Sequence, residues 1–407
     1  MLRRVVVTGL GLVTPIGIGH ERAWAGFLAG ANGIGPVRSF DPTNFASTLG
    51  AEVKDFDPAE TLKGVDPTTI GRASQFAATA ARLALGDAGL TEEVIPPARA
   101  GVAMGTTSGE PLEIEDFNDR WLADEQHAVR PDFINRYRCS SISEIVAAES
   151  NFCGMNIMIP TACAAGNYAI GSAFDALRSG RVDVMLAGGA DCFSRITYSG
   201  FSRLGAIATE RCQPFDKNRQ GMVPGEGAGV LVLESWEHAV ARDAQIYAEV
   251  AGYGLSCDAH HMTGAHPEGD GAARAMTRAL RDSGHEPGDV SYISAHGTGT
   301  PTNDRLESAA VHRVFGQRAE SVPTSSIKSM IGHTMGAASA IEAAVCALAI
   351  RDNRVPPTIN FADSDPDCAL DCVANVARDL EVEVTVNNAY AFGGNNASVI
   401  FRRSAAA

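Results

Sequence analysis

A chain of 407 residues, 45% hydrophobic and 20% charged, is long enough for two ordinary domains or one large layered one. Its formal net charge of −15, with no dense run among its 33 Lys and Arg residues, argues against sequence-independent binding to nucleic acid. Nine cysteines at irregular spacing, without a CxxC pair, suggest neither a disulfide framework nor a zinc ribbon, so a reducing cytoplasmic setting and no metal are expected.

The opening "MLRRVVVTGLGLVTPIG" places two arginines before an apolar run, and Ala23-Trp24-Ala25 would serve as a cleavage site. Its β-branched residues with Gly9, Gly11 and Pro15 read better as a strand and turn than as a signal peptide. No apolar segment is long enough to span a bilayer, and no membrane partner is expected. Strand-like runs at Val5 to Thr8, Val182 to Ala187, Val290 to Ala295 and Val382 to Val386 alternate with helical patterns, the mark of a layered α/β protein. The stretch Glu110 to Arg138 mixes charges with Trp121, Phe133 and Tyr137; it reads equally as a cap or partner face and as a solvated excursion.

The chain also echoes itself. Val7-Thr8-Gly9-Leu10-Gly11-Leu12 is matched by Val250-Ala251-Gly252-Tyr253-Gly254-Leu255, "LGDAG" (Leu85 to Gly89) by "LRDSG" (Leu280 to Gly284), and "LAGGAD" (Leu186 to Asp191) by "AFGGNN" (Ala391 to Asn396). Their common order predicts two related halves, 1–245 and 246–407, joined near Ser235 to Tyr247.

Four segments carry candidate chemistry. Cys163 follows the strand-like "MNIMI" and a Pro160-Thr161 turn, and opens a helix whose Ile170, Phe174 and Leu177 recur on one face, with Gly180 at its end. A thiol at a helix start faces unpaired N–H groups that favour thiolate, although a buried structural cysteine has the same surroundings. "SYISAHGTGTPTNDRLES" sets His296 at the carboxyl end of a strand, before a helix that Asp304 and Glu307 would start as a capping box. "SSIKSMIGHTMGAASAIEAAVCALAI" offers Lys328 and His333 before a helix striped by Ile341, Val345 and Leu348, with Gly332, Gly336, Ala337 and Ala338 allowing close packing. A surface lysine and a core histidine are the bland alternative. "NNAYAFGGNNASVIF" reads as a hairpin about Gly393-Gly394, with Phe392 just before the turn.

Taken together, "TACAAG", "AHGTGT", "SSIKSMIGH" and "AFGGNN" in this order resemble the active-site segments of the elongating β-ketoacyl–acyl carrier protein synthases of fatty acid and polyketide synthesis. The likeness spans nearly the whole chain. It implies the thiolase fold, a duplicated five-layer αβαβα architecture. It further implies an acyltransferase that performs decarboxylative condensation of an acyl thioester with malonyl carrier protein.

By that resemblance Cys163 is the acyl acceptor, His296 and His333 its partners, and Lys328 tunes the site. Thr298 and Thr300 bind the pantetheine arm and Glu307 is a structural acidic residue. Phe392 is a gate whose N–H joins that of Cys163 in an oxyanion hole. No resident cofactor is implied, because the phosphopantetheine arm arrives with the acyl carrier protein. The second subunit is either another copy or a chain-length-factor-like chain.

Departures from the family pattern are Ala164 and Ala165 in place of serines, Asn395-Asn396 in place of Thr-Asn, and Ala391 in place of a glycine beside the gate. Ser108 stands where a larger apolar residue limits the acyl tunnel, so a long, unsaturated or partly polar chain is expected, and Ser108→Ile should alter product length. Arg72 and Arg203 are candidate carrier contacts. A Cys-His thioester hydrolase leaves Lys328 and one histidine unexplained. A non-acylating partner subunit would lack Cys163, a thiolase would carry a second cysteine at the glycine turn, and an initiating synthase would use Cys-His-Asn.

Overall fold

The computed structural model describes residues 2–90, 95–123 and 132–404. Strands with two buried faces dominate: Val5–Thr14, Val184–Asp191 and Gly227–Ser235 are buried at every position. That is why they read as near-continuous apolar runs rather than alternating ones.

Two sets of five strands share one topology. From the centre outwards the first set runs Val5–Thr14, Gly227–Ser235, Val184–Asp191, Ala100–Gly105, Asn156–Ile159, which is chain order 1-5-4-2-3. The second runs Ala248–Cys257, Asn395–Arg402, Val384–Tyr390, Tyr292–Ser294, Thr324–Ser325, again 1-5-4-2-3. In each set the two inner pairings are antiparallel and the two outer ones parallel. The sets meet through Val5↔Val250, Val6↔Glu249 and Val7↔Ala248.

Two of the three sequence echoes fall on equivalent elements. The first pairs the opening strands of the two sets. The second pairs the ends of the outer helices Arg72–Asp87 and Asp270–Ser283. The third does not: Leu186 to Asp191 lies within a strand, whereas Ala391 to Asn396 spans a turn, Phe392–Gly394, and the start of the next strand. Glycine pairs serve both a crowded strand and a tight turn, so the likeness there is chemical and not positional.

Helices Ala165–Arg178 and Ala338–Asp352 form the middle layer, each touching strands of both sets. Arg72–Asp87 and Ser140–Ser150 cover the first set, and Asp270–Ser283 and Pro301–Phe315 the second, giving five layers, αβαβα. Ala165–Arg178 exposes Asp175, whereas Ala338–Asp352 is enclosed, with Ala338 to Ile350 all buried. Its stripe residues Ile341, Val345 and Leu348 contribute about 1.5–3 kcal/mol each by burial. The two middle helices approach so closely that a Cβ on Gly166 would stand 2.7 Å from the backbone N of Ala340. Among the described residues, no helix is long and apolar enough to cross a membrane.

Candidate active site

The same irregular turn opens both middle helices. Ala162 (φ 52°) is the first residue of a 3-10 turn before Ala165, and Met335 (φ 53°) is the first of one before Ala338. Left-handed backbone costs a non-glycine residue about 1–2 kcal/mol, so each turn is held by its surroundings. Counting back from the helix starts, Cys163 and Gly336 hold the same place. In the first turn the strain aims a thiol; in the second it accompanies His333, whose Nδ1 accepts the Met335 N–H at 3.1 Å.

His296 follows the strand Tyr292–Ser294, and its loop is pinned from below. Glu307 accepts the N–H groups of His296 (2.8 Å) and Gly297 (2.7 Å), and Ser326 Oγ donates to the Gly297 carbonyl at 2.6 Å. This corrects the capping box expected from Asp304 and Glu307. Pro301 opens the helix three residues earlier, with Thr300 as cap and its Oγ1 accepting the Asn303 N–H. Asp304 turns instead to the N–H groups of Phe215 and Gly299.

Lys328 is 1% exposed and ion-paired with Glu342, itself 1% exposed, so the surface-lysine alternative falls. Sequence reasoning missed Glu342. Its signal was present, a lone carboxylate within the apolar run "AIEAAVCALAI". Asp191, quoted only as part of an echo, is a second omission. It accepts from Thr106 Oγ1 and from the N–H groups of Thr107, Ser108 and Gly336, tying the first half to the turn of the second.

Cys163, His296, His333, Thr298, Thr300, Tyr390 and Phe392 line one cavity of about 410 Å³. The two imidazoles stand 5.4 Å apart, ring centre to ring centre, at 82°. Burial, then the Lys328 charge, pushes both well below the usual histidine range, so both are neutral near pH 7. With Nδ1 of His333 occupied as an acceptor, its proton sits on Nε2.

Burial also pushes the Cys163 thiol up to about 12, against the pull of Lys328. The expectation of a resting thiolate is therefore corrected: removal from water outweighs the favourable helix start, which begins two residues later at Ala165.

Thr298 and Thr300 bond to each other through their hydroxyls at 2.9 Å. Phe392, 39% exposed, lies 5.7 Å from the Phe201 ring at the cavity edge. Ala391 beside it is extended (φ −133°, ψ 154°), a conformation alanine adopts freely, while Gly393 and Gly394 take φ 82° and 78°. Asn396 Nδ2 donates to Asp258 at 2.9 Å, and Ala164 and Ala165 are fully buried.

Two candidates lie elsewhere. Arg72 does not line this cavity; its guanidinium forks onto buried Glu226 (2.7 and 3.0 Å) over the Phe76 ring, beside a separate cavity of about 440 Å³. It is ion-paired there, away from the cavity that holds Cys163. Ser108 is also absent from the lining; its N–H bonds Asp191 and its hydroxyl meets Thr197 at 3.2 Å. Arg203, by contrast, is exposed and adjoins Leu204 and Gly205 on the cavity wall. Of the Glu110 to Arg138 stretch, 124–131 lie outside the described residues. The rest forms helices Pro111–Leu122 and Phe133–Arg136, joined by stacked Phe117, Trp121, Phe133 and Tyr137 rings.

Residues 2–239 match the family described as "Beta-ketoacyl synthase, N-terminal domain", and residues 247–362 match "Beta-ketoacyl synthase, C-terminal domain". The chain is 40% identical to the 3-oxoacyl-[acyl-carrier-protein] synthase 2 of Synechocystis sp., over 98% of both chains. Among solved structures it is similar to the ishigamide ketosynthase/chain length factor (TM-score 0.96, 45% identity, 100% of both chains). It is also similar to a type II polyketide ketosynthase in complex with its acyl-carrier protein and bound to the hexaketide (TM-score 0.92, 34% identity, 99% of this chain and 100% of that one). The fold is that of the thiolase-like ketosynthases, and the chain belongs to the β-ketoacyl synthase family.

Proposed function

We propose that this protein is a 3-oxoacyl-[acyl-carrier-protein] synthase, an acyltransferase that condenses an acyl thioester with malonyl carrier protein to extend the chain by two carbons. The observation that carries this reading is one buried thiol and two neutral imidazoles on a single cavity.

The acyl-loaded arm enters past Phe392 and the Thr298–Thr300 pair. Cys163 Sγ attacks the thioester carbonyl, and its proton leaves with the departing pantetheine thiol. A neutral imidazole can relay that proton, as a thiol near 12 requires. The backbone N–H groups of Cys163 and Phe392 are assigned to the tetrahedral oxyanion. Malonyl carrier then binds, its carboxylate bond breaks, and CO₂ leaves. The electron pair passes to the enolate, whose oxygen needs neutral donors; His333 Nε2–H is one and His296 supplies the other. The enolate carbon attacks the acyl carbon, the C–S bond breaks, and the released Cys163 thiolate takes up one proton from solvent. Both reacting groups arrive on the carrier, so this sequence calls for no resident cofactor.

Lys328, paired with Glu342, is assigned the electrostatic role of keeping both imidazoles uncharged. Arg203 at the cavity mouth is assigned to the acidic carrier. The 45% identity to the ishigamide ketosynthase favours a specialised polyketide or polyene substrate over primary fatty acids. A subunit partner, another copy or a chain-length-factor-like chain, is supported by the exposed apolar residues Trp121 (51% exposed), Leu122 (83%) and Ile134 (61%).

The test is the mass of the carrier-bound product after incubation with acyl-loaded and malonyl-loaded carrier proteins. A 3-oxoacyl product two carbons longer, absent with Cys163→Ala, is the expected result. Free fatty acid alone would indicate a hydrolase.

A further inference from the structure

His333 and His296 are asked for the same donor role, yet only one of them is fixed for it. His333 receives a backbone N–H on Nδ1. His296 Nδ1 is buried without a hydrogen-bond partner among the described residues, and so is the hydroxyl of Tyr390. These two orphans belong to neighbouring rings: Tyr390 packs 5.7 Å from the His296 imidazole, centre to centre, at 67°. Tyr390 ends the strand Val384–Tyr390, is 8% exposed and lines the cavity.

Buried polar atoms without partners cost about 1–3 kcal/mol each, so two of them side by side call for a joint explanation. The nearby carboxylates do not provide it. Both oxygens of Glu307 are engaged by the His296 and Gly297 N–H groups. Asp258 holds Asn396 Nδ2 and the His266 N–H.

We propose that Tyr390 is a positioning residue that donates its phenolic O–H to Nδ1 of His296 through one bridging water, and so fixes the tautomer with its proton on Nε2. Tyr390 then does for His296 what the Met335 backbone does for His333. The two imidazoles present matching N–H donors to one oxygen, and the first of them depends on a side chain that can be removed. The inference rests on the donor role proposed above for His296, and its main readout does not require turnover.

The experiment is long-range ¹H–¹⁵N correlation NMR on ¹⁵N-histidine-labelled full-length protein, wild type and Tyr390→Phe, with His296 assigned from the His296→Gln spectrum. The wild type is expected to show His296 protonated on Nε2 with Nδ1 as acceptor. Tyr390→Phe should show a mixture of tautomers, while His333 keeps its pattern and so reports an intact site. In steady state the same variant should lose about tenfold in kcat, with KM for malonyl carrier within about twofold. His296 already protonated on Nδ1 in the wild type, or an unchanged tautomer in Tyr390→Phe, would overturn the proposal whatever the activity. If Tyr390→Phe does not fold, 3-fluorotyrosine at position 390 replaces it: the more acidic phenol should move the His296 Nδ1 resonance, and an unmoved resonance overturns the assignment.

Discussion

The two halves of this molecule share a strand order, a pairing pattern and a strained turn before a buried helix, but they spend that turn differently. In the first half it delivers Cys163, the thiol proposed to accept the acyl group. In the second, the equivalent place is Gly336, and the proposed donor stands three residues earlier as His333, clamped by the backbone of that same turn. His296 and Lys328 also belong to the second half. On the proposed mechanism the two copies of one scaffold divide the work: one mounts the nucleophile and the other a set of neutral donors with a fixed charge behind them. The Asp191 carboxylate, which holds both the Thr106–Ser108 segment and the Gly336 N–H, keeps the copies in register.

The contrast breaks most severely at the Lys328–Glu342 ion pair of the second half. Glu342→Ala leaves the Lys328 ammonium buried without its partner and should cost about 3–5 kcal/mol in urea unfolding. The double variant Lys328→Met, Glu342→Leu should recover most of that stability while condensation stays lost. Recovery of activity as well would mean that the pair is only structural.

Next comes the glycine that stands opposite the nucleophile. A Cβ on Gly336 would meet the Asp191 carboxylate and the Thr106 backbone, both at 2.6 Å, so Gly336→Ala should destabilise by about 1–3 kcal/mol. A neutral effect on the thermal midpoint would contradict the tight contact between halves.

The thiol offers a smaller effect. Because burial raises Cys163 to about 12, its thiolate fraction near neutrality is small and grows with pH. Its alkylation by iodoacetamide should climb about tenfold per pH unit from pH 7 to 9 without levelling off. A plateau by pH 8 would show that the helix start prevails over burial. The smallest effect belongs to the shared turns. Ala162→Gly relieves left-handed strain while loosening the unfolded chain, and should move stability by less than about 1 kcal/mol.

Much of the site was legible because its residues sit in short segments with local signatures: a turn before an Ala-rich helix, a histidine at a strand end, a lysine before an apolar helix. Their convergence could be read only through the family resemblance, since Cys163, His296 and His333 are far apart in the chain. What escaped notice depends on packing. The fate of Asp304 and Glu307 turns on which N–H groups the 296–299 loop leaves nearby, and Pro301 had already claimed the helix start. Arg72 looked like a surface charge because nothing in sequence places Glu226 beside it. The Cys163 thiolate was expected from a local dipole, whereas desolvation comes from every layer around the cavity. Tyr390 reads as one more strand residue until its ring is seen against His296.

The division of labour between the halves is tested most directly by separating the half-reactions in two variants, following CO₂ release and intact protein mass. Cys163→Ala should still decarboxylate malonyl carrier to acetyl carrier without forming an elongated product. His333→Ala should take up an acyl group on Cys163 yet release little CO₂. Normal condensation by His333→Ala, or acyl uptake at a residue other than Cys163, would contradict the assignment of nucleophile and donors to opposite halves.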